Sequence, residues 1–172
     1  MKSMVERSHD FLSKALHPQA ICIDATLGNG KDTKYFLSQN VQKVYAFEIQ
    51  EDVIAKTKKE IDDDRVFIYH IGHEHMDRIH EVVDAIIFNF GYCPHSKKEI
   101  TTLPETSLEA VQKGMDLLRK KGRMALVFYH HSQAQQEQQA IESYLSCLTS
   151  CDVCKVQMMN HDAPYLIEIE KK

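Results

Sequence analysis

The segment Asp24-Ala25-Thr26-Leu27-Gly28-Asn29-Gly30-Lys31-Asp32-Thr33 contains residues whose types and spacing can do chemistry. Gly28 and Gly30 let the backbone turn sharply and let a ligand come close, which a Cβ would obstruct. A dinucleotide fingerprint carries a third glycine, and here Thr33 stands in its place. The loop is acidic instead, with Asp24 before the glycines and Asp32 after them. Carboxylates are poor neighbours for a pyrophosphate and good ones for the ammonium and sulfonium of S-adenosylmethionine. A plain tight turn capped by Asp32 is the other reading, because glycines often follow strands. Asp24, Gly28, Asn29, Gly30, Asp32 and Thr33 form the first part of a candidate cofactor site.

Glu48, in Phe47-Glu48-Ile49-Gln50, follows Gly28 by twenty residues. At that spacing a carboxylate meets the ribose hydroxyls of a nucleoside. Gln50 offers a second polar contact, and His73 and Glu74 in Gly72-His73-Glu74-His75 fall where an adenine edge would lie. These histidines also read as ordinary solvated side chains, and no metal is expected, since no ligand set with zinc-site spacing completes them.

Asn89 leads Asn89-Phe90-Gly91-Tyr92-Cys93-Pro94. A primary amide orients a nucleophilic nitrogen without titrating, although a buried Asn bonded to loop backbone is the plainer reading. Asn89 resembles the leading residue of the Asn-Pro-Pro-Tyr signature of amino-group methyltransferases, and Tyr92 keeps its aromatic, which can stack on a flipped-out base. Asn89, Tyr92 and His130, from Tyr129-His130-His131, are the candidate catalytic residues. Cys93 suggests a nucleophile for pyrimidine carbon methylation, but only His95 stands near it to activate a thiol, and bystander cysteines are commoner.

The elements that would position these groups follow from apolar runs between breakers. Strands are expected at 20–24, 43–47, 66–69, 84–88, 123–129, 154–159 and 165–169, and helices at 31–38, 51–61, 74–79, 108–120 and 132–148. Alternating strand and helix predicts a parallel sheet covered on both faces. The last two strands, joined by a short turn, predict an antiparallel hairpin. The expected fold is a Rossmann-like α/β sheet of seven strands, mostly parallel, with that hairpin at its carboxyl end, in a single domain of residues 1–172.

Composition agrees with a globular domain: 43% hydrophobic, 27% charged, net charge −4. That charge argues against non-specific coating of nucleic acid. It leaves local basic patches, Lys97 with Lys98 and the run Arg119, Lys120, Lys121 and Arg123, as candidates for RNA contact. Five cysteines, an odd number, read as reduced thiols. Without an apolar run of membrane length or a secretory layout in 1–10, a cytoplasmic protein is expected.

These blocks, with Ile100-Thr101-Thr102-Leu103-Pro104-Glu105-Thr106 and the closing Asn160-His161-Asp162-Ala163-Pro164-Tyr165, resemble the MnmM-like tRNA methyltransferases, small bacterial proteins formerly described as rRNA methylases. The resemblance covers nearly the whole chain. It implies a class I methyltransferase that uses S-adenosylmethionine to methylate the aminomethyl nitrogen of 5-aminomethyl-(2-thio)uridine at the wobble position, with the tRNA anticodon stem-loop as partner. Three departures stand out: Glu48 where the family favours Asp, His95-Ser96-Lys97-Lys98 in place of a glycine-rich turn, and His131-Ser132-Gln133 in place of another. The rival readings are a methyltransferase acting on rRNA or a small molecule and, from another class, a nucleotide-binding oxidoreductase or non-catalytic binding module. Oligomeric state is open, a homodimer included.

Overall fold

The computed structural model describes residues 1–91, 104–129, 135–160 and 164–172. Its strands are β1 (Ile21–Asp24), β2 (Lys43–Phe47), β3 (Val66–Tyr69), β4 (Val83–Phe90), β5 (Leu118–Phe128), β6 (Cys151–Val156) and β7 (Tyr165–Lys171). They form one sheet in the order β3-β2-β1-β4-β5-β7-β6. The first five run parallel, and β7 is antiparallel to both β5 and β6. The expected sheet, with its closing hairpin, is the one observed.

The chain winds outward from β1 to β3 and then crosses to β4 on the other side of β1. The crevice where such an order reverses is where open α/β sheets bind ligands. Asp24 ends β1 and Asn89 lies near the end of β4, so both fall at this switch point.

Side chains alternate along a strand, and this decides which face each one serves. Ile86, Phe88 and Phe90 enter one buried cluster, while Ala85 and Ile87 enter the other, with Met4, Leu12 and Phe36. Asn89 shares the parity of Ala85 and Ile87. It therefore faces the side covered by α1 (Met4–Ser13) and α2 (Lys31–Ser38).

Helix α1 lies outside the expected elements. Its start is a capping box in which Ser3 Oγ accepts the Glu6 N–H and a Glu6 carboxylate oxygen accepts the Ser3 N–H at 2.7 Å. Met4, Ser8 and Leu12 are buried at helical spacing, and the Arg123 guanidinium lies 4.5 Å above the Phe11 ring. The remaining helices are α3 (Glu51–Glu60), α4 (Pro104–Leu117), α5 (Gln135–Ser146) and a 3-10 helix at His73–Arg78. No described helix is long and apolar enough to cross a membrane.

Of the boundaries that differ from expectation, two move the edges of the sheet most. The stretch 118–120 continues α4 by its pattern, yet buried Leu118 already pairs with Val83 in the sheet. Likewise β6 begins at Cys151 rather than 154, opposite Lys171. This places the basic run at the amino end of β5. Arg119 pairs with Asp84, and Arg123 and Lys121 pair with Glu170. Asn89 pairs with Val127, four residues beyond Arg123, which is roughly 13 Å further along the strand. Three of the four basic residues of the run are thus engaged in ion pairs, on a part of the sheet away from the switch point.

Candidate functional site

The turn after β1 is shaped by Asp24. Its buried carboxylate accepts the Thr26 N–H at 3.2 Å, the Thr33 N–H at 3.1 Å and the Thr33 hydroxyl at 2.7 Å. Burial, and then the nearby Asp32, push its pKa up to about 7 against the pull of those bonds. Asp24 and Thr33 thus spend their polar atoms on the loop itself. Asn29 stands exposed at its tip.

Both glycines adopt left-handed backbone, φ +45° at Gly28 and +69° at Gly30. Their surroundings differ. A Cβ on Gly30 would sit 2.6 Å from Ile61 Cδ1 and 2.8 Å from Thr57 Cγ2, so Gly30 packs the loop onto the end of α3. A Cβ on Gly28 would meet nothing nearer than Thr26 O at 3.8 Å, so this backbone is open to a ligand.

Glu48 follows the last residue of β2. Its carboxylate accepts the N–H of Ile49 at 2.9 Å, of Gln50 at 3.0 Å and of Gly28 at 3.2 Å. A carboxylate offers roughly four acceptor positions, so it can still receive a hydroxyl donor. Gln50 caps α3 beside it. An open glycine backbone flanked by a partly buried acid at the end of the next strand suits the ribose and amino-acid ends of S-adenosylmethionine.

His73 is only 6% exposed, so the solvated reading fails for it, while His75 is exposed as that reading has it. Its Nδ1 lies 3.2 Å from the Ala25 carbonyl, and its ring meets Phe88 and Phe90 edge-on. A carbonyl only accepts, so Nδ1 carries the proton, while burial lowers the pKa and keeps the ring neutral. His73 joins the 3-10 helix to the end of β1. Glu74 folds its carboxylate over Gly72, whose lack of a Cβ makes room for it.

Asn89 is held at both ends. Its backbone N–H donates to Thr26 Oγ1 at 2.8 Å, and its side-chain Nδ2 donates to Asp32 Oδ2 at 2.6 Å. A carboxylate oxygen accepts this bond, so the amide turns its NH₂ toward Asp32 and keeps Oδ1 as an acceptor. The other oxygen of Asp32, Oδ1, lies 2.6 Å from Nε2 of His9 on α1. His9 stacks on Tyr35 with ring centroids 3.7 Å apart, and the Tyr35 hydroxyl donates to the His9 carbonyl at 2.7 Å.

Tyr129, 38% exposed, lies against Gly91, where a Cβ would come within 2.8 Å of its Cδ2. Burial and the Asp32 charge raise its pKa. His9 and Tyr129 were missed as site residues. The Ser3-x-x-Glu6 pattern, an N-terminal helix signal, was the available clue to the element carrying His9. Tyr92, Cys93, Lys97, Lys98 and His130 lie outside the described residues.

A β7 that enters antiparallel between β5 and β6, with acids rather than a third glycine around the first loop, defines a class I, S-adenosylmethionine-dependent methyltransferase. This overturns the oxidoreductase and binding-module readings. The family model described as "Putative rRNA methylase" matches residues 44–170, and the chain belongs to that family. The chloroplastic tRNA (mnm(5)s(2)U34)-methyltransferase of Arabidopsis thaliana is 31% identical over 192 residues, covering 99% of this chain and 70% of that one. A "putative rRNA-methylase" from Clostridium thermocellum superposes with a TM-score of 0.93 at 32% identity, over 100% of this chain and 99% of the other. A "putative methyltransferase" from Streptococcus mutans, solved in complex with SAH, gives a TM-score of 0.91 at 35% identity over 100% and 99% of the two chains.

Proposed function

We propose that this methyltransferase transfers a methyl group to the aminomethyl nitrogen of 5-aminomethyl-(2-thio)uridine at the wobble position of tRNA. The observation that carries the reading is the Asn89 amide at the switch point, bound to Asp32 through its NH₂, which leaves its carbonyl oxygen as an acceptor. An aliphatic amine needs such an acceptor and no covalent partner. The tRNA assignment draws support from the Arabidopsis relative, which matches nearly the whole chain.

S-adenosylmethionine, when bound, supplies an electron-poor methyl carbon. Glu48 would accept its ribose hydroxyls, and the Gly28 to Asp32 loop its amino-acid end, with Gln50 and Glu74 alongside. The substrate amine, with an ordinary pKa near that of lysine, about 10, must lose a proton before its lone pair can react. Removal from water lowers that pKa. Asn89 Oδ1 then holds one remaining N–H and aims the lone pair, which supplies orientation rather than acid–base chemistry. Tyr129, and Tyr92, which follows Gly91 in sequence, would offer faces on which the flipped-out base stacks. Cys93 has no part in amine methylation.

The test is methyl transfer by the purified protein to an anticodon stem-loop carrying 5-aminomethyl-2-thiouridine. One methyl group should be incorporated, and none when the uridine is unmodified. Transfer to rRNA or a small amine, with this stem-loop inert, would replace the reading with one of its rivals.

A further inference from the structure

His9, Asp32 and Asn89 come from α1, the first turn of α2 and β4, and they converge on one carboxylate. Each Asp32 oxygen has one partner, His9 Nε2 at 2.6 Å and Asn89 Nδ2 at 2.6 Å. The Asp32 side chain is 9% exposed and that of His9 19%. Among the described residues no Lys or Arg pairs with Asp32, so His9 is its ionisable partner.

A carboxylate held at one oxygen can still pivot about the Cβ–Cγ bond. Held at both, it has one orientation, and the amide bonded to its second oxygen is fixed with it. His9 has little freedom of its own, stacked on the Tyr35 ring and tied through its carbonyl to the Tyr35 hydroxyl. The rigid end of this series of bonds is therefore the α1 side, and the end at the switch point is the Asn89 amide.

We infer that His9 is a positioning residue: its Nε2–H bond to Asp32 fixes the orientation of the Asn89 amide and so sets the rate of methyl transfer rather than the affinity for the cofactor. The inference rests on the proposed role of Asn89 in holding the acceptor nitrogen.

Two substitutions separate the hydrogen bond from the ring packing. His9→Gln keeps a donor at about the same reach without the imidazole, and His9→Phe keeps a ring to stack on Tyr35 without a donor. Both are assayed with the stem-loop substrate, and cofactor affinity is measured in parallel by titration with S-adenosylhomocysteine. The expected result is a kcat for His9→Phe lower by roughly 10–100-fold, the scale of a misplaced positioning group. His9→Gln should stay within about 5-fold of the unaltered protein, and both should bind S-adenosylhomocysteine within about 3-fold of it, because Glu48 and the open Gly28 backbone are untouched.

Equal activity of His9→Phe and the unaltered protein overturns the inference. So does His9→Gln falling as far as His9→Phe, or a loss of affinity as large as the loss of rate. If the unaltered protein methylates a different acceptor, the tRNA reading fails, and the same ranking of the two variants on that acceptor still decides the role of His9.

Discussion

Glu48 accepts the backbone N–H of Gly28 at 3.2 Å, which ties the acid that follows β2 to the turn that follows β1. One carboxylate thus sets the loop and is the group proposed to take the ribose. Glu48→Ala should weaken S-adenosylmethionine binding roughly 10–100-fold, the worth of lost hydrogen bonds to a charged group. Glu48→Asp should bind within a few-fold. Calorimetric titration measures both, and an unchanged affinity for the alanine variant would remove Glu48 from the cofactor site.

The two glycines should fail differently. Gly30→Ala forces a Cβ into Ile61 and Thr57 as well as straining a left-handed backbone, whereas Gly28→Ala bears only the strain. Strain alone costs about 1–2 kcal/mol. In a chain of this size each kcal/mol lowers Tm by roughly 2–4 °C. Gly30→Ala should therefore show the lower Tm and Gly28→Ala the larger loss of cofactor affinity relative to its change in Tm. The reverse order would contradict the assignment of Gly28 to the open side.

Asp24 gives stability a pH signature. Its carboxyl is raised from 3.8 to about 7 in the folded chain, first by burial and then by Asp32. Between these values the folded chain binds more protons at this position than the unfolded one, so its contribution falls as pH rises from about 4 to about 7. Asp24→Asn should flatten that part of the stability–pH profile, while lowering stability overall because its NH₂ cannot accept the Thr26 N–H. Chemical denaturation across this window measures the slope. A profile as steep as that of the unaltered protein would assign the slope elsewhere.

The sheet was legible because its strands are short apolar runs bounded by breakers, and the turn from 160 to 164 announces an antiparallel return. The ends of β5 and β6 were not. Leu118 continues a helical pattern and enters the sheet only because Val83 pairs with it, and a pairing partner is not a local signal. The loop glycines, Asp32, Glu48 and Asn89 were visible as types at a spacing. That Asp24 serves the loop through three bonds, that His73 is buried among Phe88 and Phe90, and that Arg119, Lys121 and Arg123 pair with Asp84 and Glu170 are tertiary facts. His9 shows the limit most plainly: a single His on a surface helix carries no mark of Asp32, 23 residues away.

Asn89→Ala separates binding from turnover. It removes the acceptor proposed for the amine and frees the Asp32 oxygen it held, so kcat on the stem-loop should fall roughly 100-fold, as for loss of a positioning group. Affinity for S-adenosylhomocysteine should change little. A variant that keeps its kcat would take the amide out of the reaction.

The most direct measurement is nucleoside mass spectrometry of tRNA from cells that lack this protein. Loss of 5-methylaminomethyl-2-thiouridine with accumulation of its 5-aminomethyl precursor, reversed by the restored protein and not by the Asn89→Ala variant, is the predicted result. An unchanged level of the methylated nucleoside, with a methyl mark missing from rRNA or a small molecule instead, would contradict the account.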